Sequence, residues 1–230
     1  MEIRERVFKE LVVVQKLGKI TADENIKLAE KVGHVPQDGE SYQERFSSLI
    51  ERPGVVKVTE GALFGHKETL DWHCNKPSNP ERSPIIWIYA VEGSKGSITS
   101  WIDNKKAYED LPDEIKAHCH NVEFTCGFKV GGYTDDPTFK EHHNKDNVHK
   151  LVYTNEYGQK GLFFPFLQIM EGIPKTLYDY LKAHILQDKY RYDHHWKDGD
   201  LVVSEQWLTI HKRHTFEKMN ERLMHRIAIW

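Results

Sequence analysis

The chain has 230 residues, 39% of them hydrophobic, and a formal net charge of −3 at pH 7, which suits one globular domain with a sizeable core. No long run of one sign marks a nucleic-acid footprint or a polybasic membrane patch, so the composition favours small-molecule chemistry. Residues 1–14 carry charges throughout and hold no apolar run typical of a signal peptide or membrane span. We therefore expect a cytoplasmic protein, with its oligomeric state left open.

The first elements follow from hydrophobic spacing and capping residues. Apolar residues on one helical face predict a short helix over residues 3–8, and the β-branched run at 12–14 predicts a buried strand. Thr21 with Glu24 forms a capping-box pattern ahead of a second helix, and Gly33 is a plausible end for it. Three cysteines without paired metal-type spacing predict reduced thiols rather than a disulfide framework or a structural zinc.

A polar, proline-containing stretch then separates these helices from the strands. Residues 34–53 are predicted to form a loop with one helical turn over 43–49. Segments rich in β-branched and aromatic residues, bounded by Gly and Pro, predict strands at 55–58, 85–91 and 98–102.

The second half adds two helices and the remaining strands. Helices are predicted over 105–118 and 175–187, a strand over 121–128, and a polar segment at 131–149 has the composition of a lid or a disordered loop. Further strands are expected near Leu151, Leu162, Tyr190, Leu201 and Leu223. Many short strands with few, segregated helices indicate a mainly β double-stranded β-helix, the jelly roll, in a single domain spanning 1–230.

Two histidines far apart in the chain suggest a metal site. His73 and Asn75 stand two positions apart, and alternate side chains of a strand share a face, so both could reach one ion while Cys74 points away. His211 would come from a distant strand. A non-haem Fe(II) oxygenase uses two neutral imidazoles and usually one carboxylate, leaving the opposite face open. Here an amide occupies the expected carboxylate position.

The full set of positions is more specific than any dipeptide. Arg222 and Arg226 follow His211 by eleven and fifteen residues, and Trp196 leads into the segment that carries this histidine. In this order and spacing the chain resembles the taurine dioxygenase-like family of Fe(II)/2-oxoglutarate oxygenases, from about Leu11 to the C-terminus. The His-x-Asn variant also resembles short members of that family encoded by bacteriophages.

The resemblance implies a role for each position. His73, Asn75 and His211 would hold Fe(II), and Arg226 would grip the remote carboxylate of the co-substrate 2-oxoglutarate. The resemblance also places Arg222 nearer the C1 carboxylate of 2-oxoglutarate. It implies that the Thr99 hydroxyl hydrogen-bonds the same co-substrate. The substrate would lie over the metal at a mouth formed by residues 64–70 and 131–149.

Each assignment has an alternative. Because the chain has 14 histidines, His73 could be a structural or surface residue. Arg226 could form an ordinary surface ion pair, and Thr99 could be present for its β-propensity. The clusters His142/His143, His194/His195 and His118/His120 lack supporting ligand spacing for a second metal. Asp71 precedes His73 by two residues and would share its face, so it could supply the missing carboxylate instead of Asn75.

Three functional hypotheses follow. The first is an enzyme that couples oxidation of 2-oxoglutarate to succinate and CO₂ with hydroxylation of a small molecule. The second is a halogenase-like site in which the lost carboxylate admits chloride, although Asn75 is nearly as large as Asp. The third is a binding protein that retains the barrel without productive iron chemistry.

Overall fold

In the computed structural model, the described residues are 2–36, 50–60, 67–78, 82–127 and 148–230. The helices are α1 (Ile3–Glu10), α2 (Ala22–Ala29), α3 (Asn104–Glu109), α4 (Asp113–His120) and α5 (Lys175–Ile185). The first seven strands are β1 (Val12–Lys16), β2 (Ile50–Arg52), β3 (Val55–Val58), β4 (Leu70–His73), β5 (Ile85–Glu92), β6 (Ile98–Asp103) and β7 (Glu123–Cys126). The others are β8 (Val148–Lys150), β9 (Val152–Thr154), β10 (Lys160–Leu162), β11 (Ile169–Glu171), β12 (Arg191–His195), β13 (Asp200–Glu205), β14 (Thr209–Arg213) and β15 (Leu223–Ile229).

Two antiparallel sheets form the body of the molecule. The larger sheet has the order β1-β13-β5-β15-β3-β2, and the smaller one has the order β12-β6-β14-β4. A three-stranded sheet, β11-β7-β8, and the hairpin β9-β10 pack beside them. The jelly roll predicted from the sequence is confirmed.

The strand β5 shows how the larger sheet is buried on both faces. Trp87 and Tyr89 point toward the helices α1 and α2, whereas Ile86 and Ile88 face the space between the two main sheets. Because successive side chains of a strand alternate between faces, a strand that is apolar on both sides belongs in the middle of a covered sheet.

The α2 helix begins as its capping box predicts. The Thr21 side chain accepts a hydrogen bond from the Glu24 backbone N–H, and the Glu24 carboxylate accepts one from the Thr21 N–H. The helix ends at Ala29 rather than at Gly33. Gly33 serves a packing purpose instead, because a Cβ there would lie 2.2 Å from the backbone oxygen of Trp230.

The single helix predicted over 105–118 is wrong, because it is two helices, α3 and α4. The chain breaks at Leu111, and Pro112 is the N-cap of α4. A residue that precedes proline is disfavoured in the α conformation, so the helix cannot run through this point. The predicted turn at 43–49 and most of the predicted lid at 131–149 lie outside the described residues.

Three buried clusters fill the structure. One lies between α1, α2 and the larger sheet, a second between the smaller sheet and α3, α4 and α5, and a third inside the barrel around Trp101, Trp196 and Met224. All three cysteines are free, as predicted, and all three are buried. No helix within the described ranges is long and apolar enough to span a membrane.

Candidate active site between the two sheets

Strands β4 and β14 bring His73 and His211 together from opposite halves of the sequence. The two residues are direct partners in the antiparallel ladder, and their ring centroids are 4.2 Å apart. His73 is buried, and both residues line a cavity between the two main sheets. The pairing predicted from the two distant motifs is therefore present.

A β-bulge decides which neighbours of His73 face the cavity. On β14 the successive ladder residues are His211 and Arg213, two positions apart. Their partners on β4, His73 and Leu70, are three positions apart. A bulge of this kind leaves Leu70 and His73 on the cavity side and turns Asp71 outward.

Asp71 consequently does not share the face of His73, and this expectation from simple alternation was wrong. Its carboxylate lies 3.1 Å from the Lys212 ammonium and accepts a hydrogen bond from the Trp72 backbone N–H. The side chain is about half exposed and is absent from the cavity lining.

One hydrogen bond fixes the tautomer of His73. Its Nδ1 lies 2.6 Å from the Asp71 carbonyl oxygen. A carbonyl can only accept, so Nδ1 carries the proton and the Nε2 lone pair is available. Metal-binding histidines typically have their second nitrogen held in this manner.

Burial keeps both imidazoles neutral. Desolvation lowers the pKa of His73 to about 4, with the cations of Arg213 and Arg226 acting in the same direction. Burial, His73 and Arg226 likewise hold the pKa of His211 well below its usual value. Neutral imidazole is the form that binds a divalent metal, so the donor set fits Fe(II).

Asn75 lies beyond the end of β4, in an irregular segment, and not on the strand as the sequence pattern suggested. Its side chain still lines the cavity with the two histidines. Its backbone N–H and its side-chain Nδ2 both lie 3.4 Å from Gln206 Oε1. Among the described residues, no group of three or more His, Cys, Asp or Glu side chains is arranged so that it could hold a metal ion.

The cavity itself has a volume of about 80 Å³ and is lined by both apolar and polar side chains. This is room for several water molecules or a small organic acid. Thr99 lies at its wall, where its Oγ1 accepts a 2.9 Å hydrogen bond from the Trp196 indole N–H. The Thr99 hydroxyl proton therefore remains for another acceptor. The cavity is lined by Val58, Leu70, His73, Asn75, Ile86, Ile88, Thr99, Trp196, His211, Arg213, Arg222, Met224 and Arg226.

Both arginines singled out from the sequence are in this lining, together with a third that was missed. Burial lowers the pKa of Arg222 and Arg226 to about 10 each, so both remain charged at neutral pH. Arg213 follows His211 by two residues on β14. Because alternate side chains of a strand share a face, its place in the cavity lining could have been predicted from the sequence.

The arginines occupy different parts of the cavity. Arg226 acts electrostatically on both histidines and Arg213 acts on His73, whereas the pKa of Arg222 is lowered first by burial and then by the charge of Arg213. Arg213 is the ladder partner of Thr99. Arg222 therefore lies farther from the histidines than Arg226, and Arg213, the partner of Thr99, is close to both His73 and Arg222.

Several of the described histidines outside this site hydrogen-bond to neighbouring side chains. His194 lies 3.1 Å from the Asp200 carboxylate and contacts the Tyr192 hydroxyl. His120 contacts the Tyr108 hydroxyl, and His142 and His143 lie outside the described residues.

Comparison with known proteins agrees with this geometry. Residues 4–228 match the family model described as "Taurine catabolism dioxygenase TauD, TfdA family". The chain belongs to this family. The predicted class of enzyme, a 2-oxoglutarate-dependent dioxygenase, is thereby confirmed.

Two relatives and two solved structures align with most or nearly all of the chain. Pentalenolactone F synthase of Streptomyces avermitilis is 24% identical over 99% of this chain and 84% of its own length; the Streptomyces arenae enzyme is 24% identical over 90% and 77%. The structure of AAD-2 in complex with Mn(II) and N-oxalylglycine has a TM-score of 0.74 at 22% identity, covering 99% of this chain and 85% of that one. A taurine dioxygenase from Burkholderia xenovorans has a TM-score of 0.70 at 18% identity, covering 95% and 75%.

Proposed function

We propose that this dioxygenase uses Fe(II), held by His73, His211 and the Asn75 side-chain oxygen, to hydroxylate a small molecule. The observation that carries the proposal is the pairing of two neutral histidines, buried His73 and half-buried His211, across β4 and β14, with the Nε2 of His73 left as the available donor. In the overall reaction, 2-oxoglutarate, O₂ and a C–H bond would give succinate, CO₂ and an alcohol. When bound, the metal would hold the 2-oxo acid and activate O₂.

The cavity also suggests how the chain binds 2-oxoglutarate. We assign the remote carboxylate to Arg222, with Thr99 and Arg213 beside it, because Arg222 is not among the charges acting on either histidine and this part of the cavity presents buried cations and a hydroxyl donor. Arg226, which acts on both histidines, would lie near the C1 carboxylate. This reverses the roles that the family resemblance implied for the two arginines, while both remain co-substrate residues.

The protein residues contribute binding and exclusion of water. Val58, Ile86, Ile88 and Met224 supply apolar walls, which lower the local dielectric and strengthen the attraction between a carboxylate and the arginines. The fork of a guanidinium also matches a carboxylate in two parallel hydrogen bonds, which orients the acid as well as holding it.

We favour hydroxylation over halogenation because the Asn75 side chain would fill the third coordination position. Asn75 lines the cavity, and Gln206 holds its amide. A chloride would need the space that this amide takes.

An anaerobic titration tests the proposal. Fe(II) added to the protein with 2-oxoglutarate should produce a metal-to-ligand charge-transfer band, and His73→Ala and His211→Ala should each remove it. The exposed residue His195 offers a matched control, since His195→Ala should leave the band unchanged. A band that survives in both ligand variants would contradict the assignment.

A further inference from the structure

The short segment that carries Asn75 is held by buried side chains from two other parts of the chain. The fully buried Gln168 pairs with Cys74 through both of its amide atoms: Oε1 accepts from the Cys74 N–H at 2.8 Å, and Nε2 donates to the Cys74 carbonyl at 3.1 Å. This reciprocal pair replaces the strand neighbour that the segment lacks after β4 ends.

Arg82 ties the same segment to the turn between β13 and β14. One nitrogen, Nη2, donates to the Gln206 carbonyl at 2.9 Å, while Nη1 donates to Cys74 Sγ at 2.9 Å and to the Asn75 carbonyl at 3.5 Å. Its guanidinium packs against the rings of Phe163 and Trp207, 4.4 and 3.9 Å from their centroids. The position of Gln206 relative to Asn75 is therefore fixed.

Gln206 sets which end of the Asn75 amide faces the cavity. Its single oxygen, Oε1, faces both the backbone N–H and the side chain of Asn75. A backbone N–H can only donate, which identifies the facing Gln206 atom as oxygen. That oxygen in turn selects Nδ2 as the Asn75 atom next to it. Oδ1 of Asn75 is then directed away from Gln206.

We propose that Gln206 is a positioning residue that presents Oδ1 of Asn75 to the metal. The inference rests on the proposed function, in which Asn75 is the third metal ligand. Without Gln206 the amide could turn, and the Nδ2 group, which has no lone pair for a metal, would compete for the same position. Partners of metal ligands typically change metal affinity by 10–100-fold.

The Gln206 side chain is expected to contribute little to the folding stability of the protein. Its Nε2 is buried and has no hydrogen-bond partner among the described residues, and burying an unpaired amide group is unfavourable. Gln206→Met, of similar length, removes this unpaired group along with the two long contacts to Asn75. We therefore expect the variant to fold with a melting temperature close to that of the wild type.

The test is a double-mutant cycle on Mn(II) binding in the absence of 2-oxoglutarate. Binding is measured from the electron paramagnetic resonance signal of free Mn(II). Gln206→Met should weaken binding about tenfold in the wild-type background and should have no further effect in Asn75→Ala. Gln206→Glu keeps the acceptor and should bind at least as tightly as the wild type. Gln159→Met, at a half-buried glutamine of the β9–β10 turn, should change nothing.

The outcomes separate the inference from the proposed function. If the wild type binds Mn(II) and Gln206→Met binds it equally well, the positioning role alone is overturned. The same holds if Gln206→Met weakens binding as much in the Asn75→Ala background as in the wild type. Binding as weak in Gln206→Glu as in Gln206→Met would also overturn it. A wild-type protein that binds no Mn(II) would overturn the proposed metal site itself.

Discussion

Replacement of Arg222 tests the carboxylate end of the cavity. The side chain is 2% exposed, its pKa is lowered by burial to about 10, and its Nε has no hydrogen-bond partner among the described residues. Such a guanidinium is a buried cation suited to an anionic ligand, and hydrogen bonds that involve charged groups contribute about 1.5–3 kcal/mol each. Arg222→Lys keeps the charge but loses the fork, so the dissociation constant for 2-oxoglutarate should rise about 10- to 150-fold.

The assay is calorimetry of the Mn(II)-loaded protein under anaerobic conditions, with two ligands compared. 2-Oxobutanoate keeps the C1 carboxylate and the keto group but lacks the remote carboxylate. Its affinity should be nearly the same in Arg222→Lys and in the wild type, whereas that of 2-oxoglutarate falls. Arg191→Lys, at an exposed arginine, is the control. If both ligands weaken equally in Arg222→Lys, or if Arg222→Ala binds 2-oxoglutarate normally, the assignment of this end is wrong.

Three further results are expected. Asn75→Asp should tighten Mn(II) binding, because a carboxylate restores the usual two-histidine, one-carboxylate set; weaker binding in a titration would exclude residue 75 as a ligand. Because the pKa of His73 is about 4 in the folded metal-free protein and about 6.5 unfolded, stability should be lost as pH falls from about 6.5 toward 4, and His73 should contribute up to roughly 3 kcal/mol of this loss. His73→Phe should flatten this decline in urea unfolding, and an equally steep decline would contradict the cause. Thr21→Ala should lower the free energy of unfolding by about 1 kcal/mol through loss of the α2 cap, and an unchanged urea midpoint would show that the cap contributes nothing.

The parts of the fold that follow from local rules were predictable. The α2 capping box, the strands β5 and β6 and the helix α5 each depend on neighbouring residues, and the sequence pattern placed them within a few positions. The break between α3 and α4 depends on one proline that a periodicity argument passed over.

The candidate site also has a part that the sequence predicts and a part that only the folded structure shows. The pair of histidines was predictable from spacing and family resemblance, but the outward turn of Asp71 was not, because it depends on the register between β4 and β14. A bulge is a property of two paired strands, and neither sequence shows it alone. Arg82, Gln168 and Gln206 were missed for a related reason: they act through the backbone and side chain of the Asn75 segment, which only the folded chain brings to them.

The most direct test of the account is release of CO₂ from 2-oxoglutarate labelled at C1, measured when O₂ is admitted to the protein loaded with Fe(II). The account predicts CO₂ and succinate in equal amounts from the wild type, and neither product above background from His211→Ala. Binding of Fe(II) and 2-oxoglutarate without any release of CO₂ from the wild type would contradict it and favour a binding protein that retains the barrel.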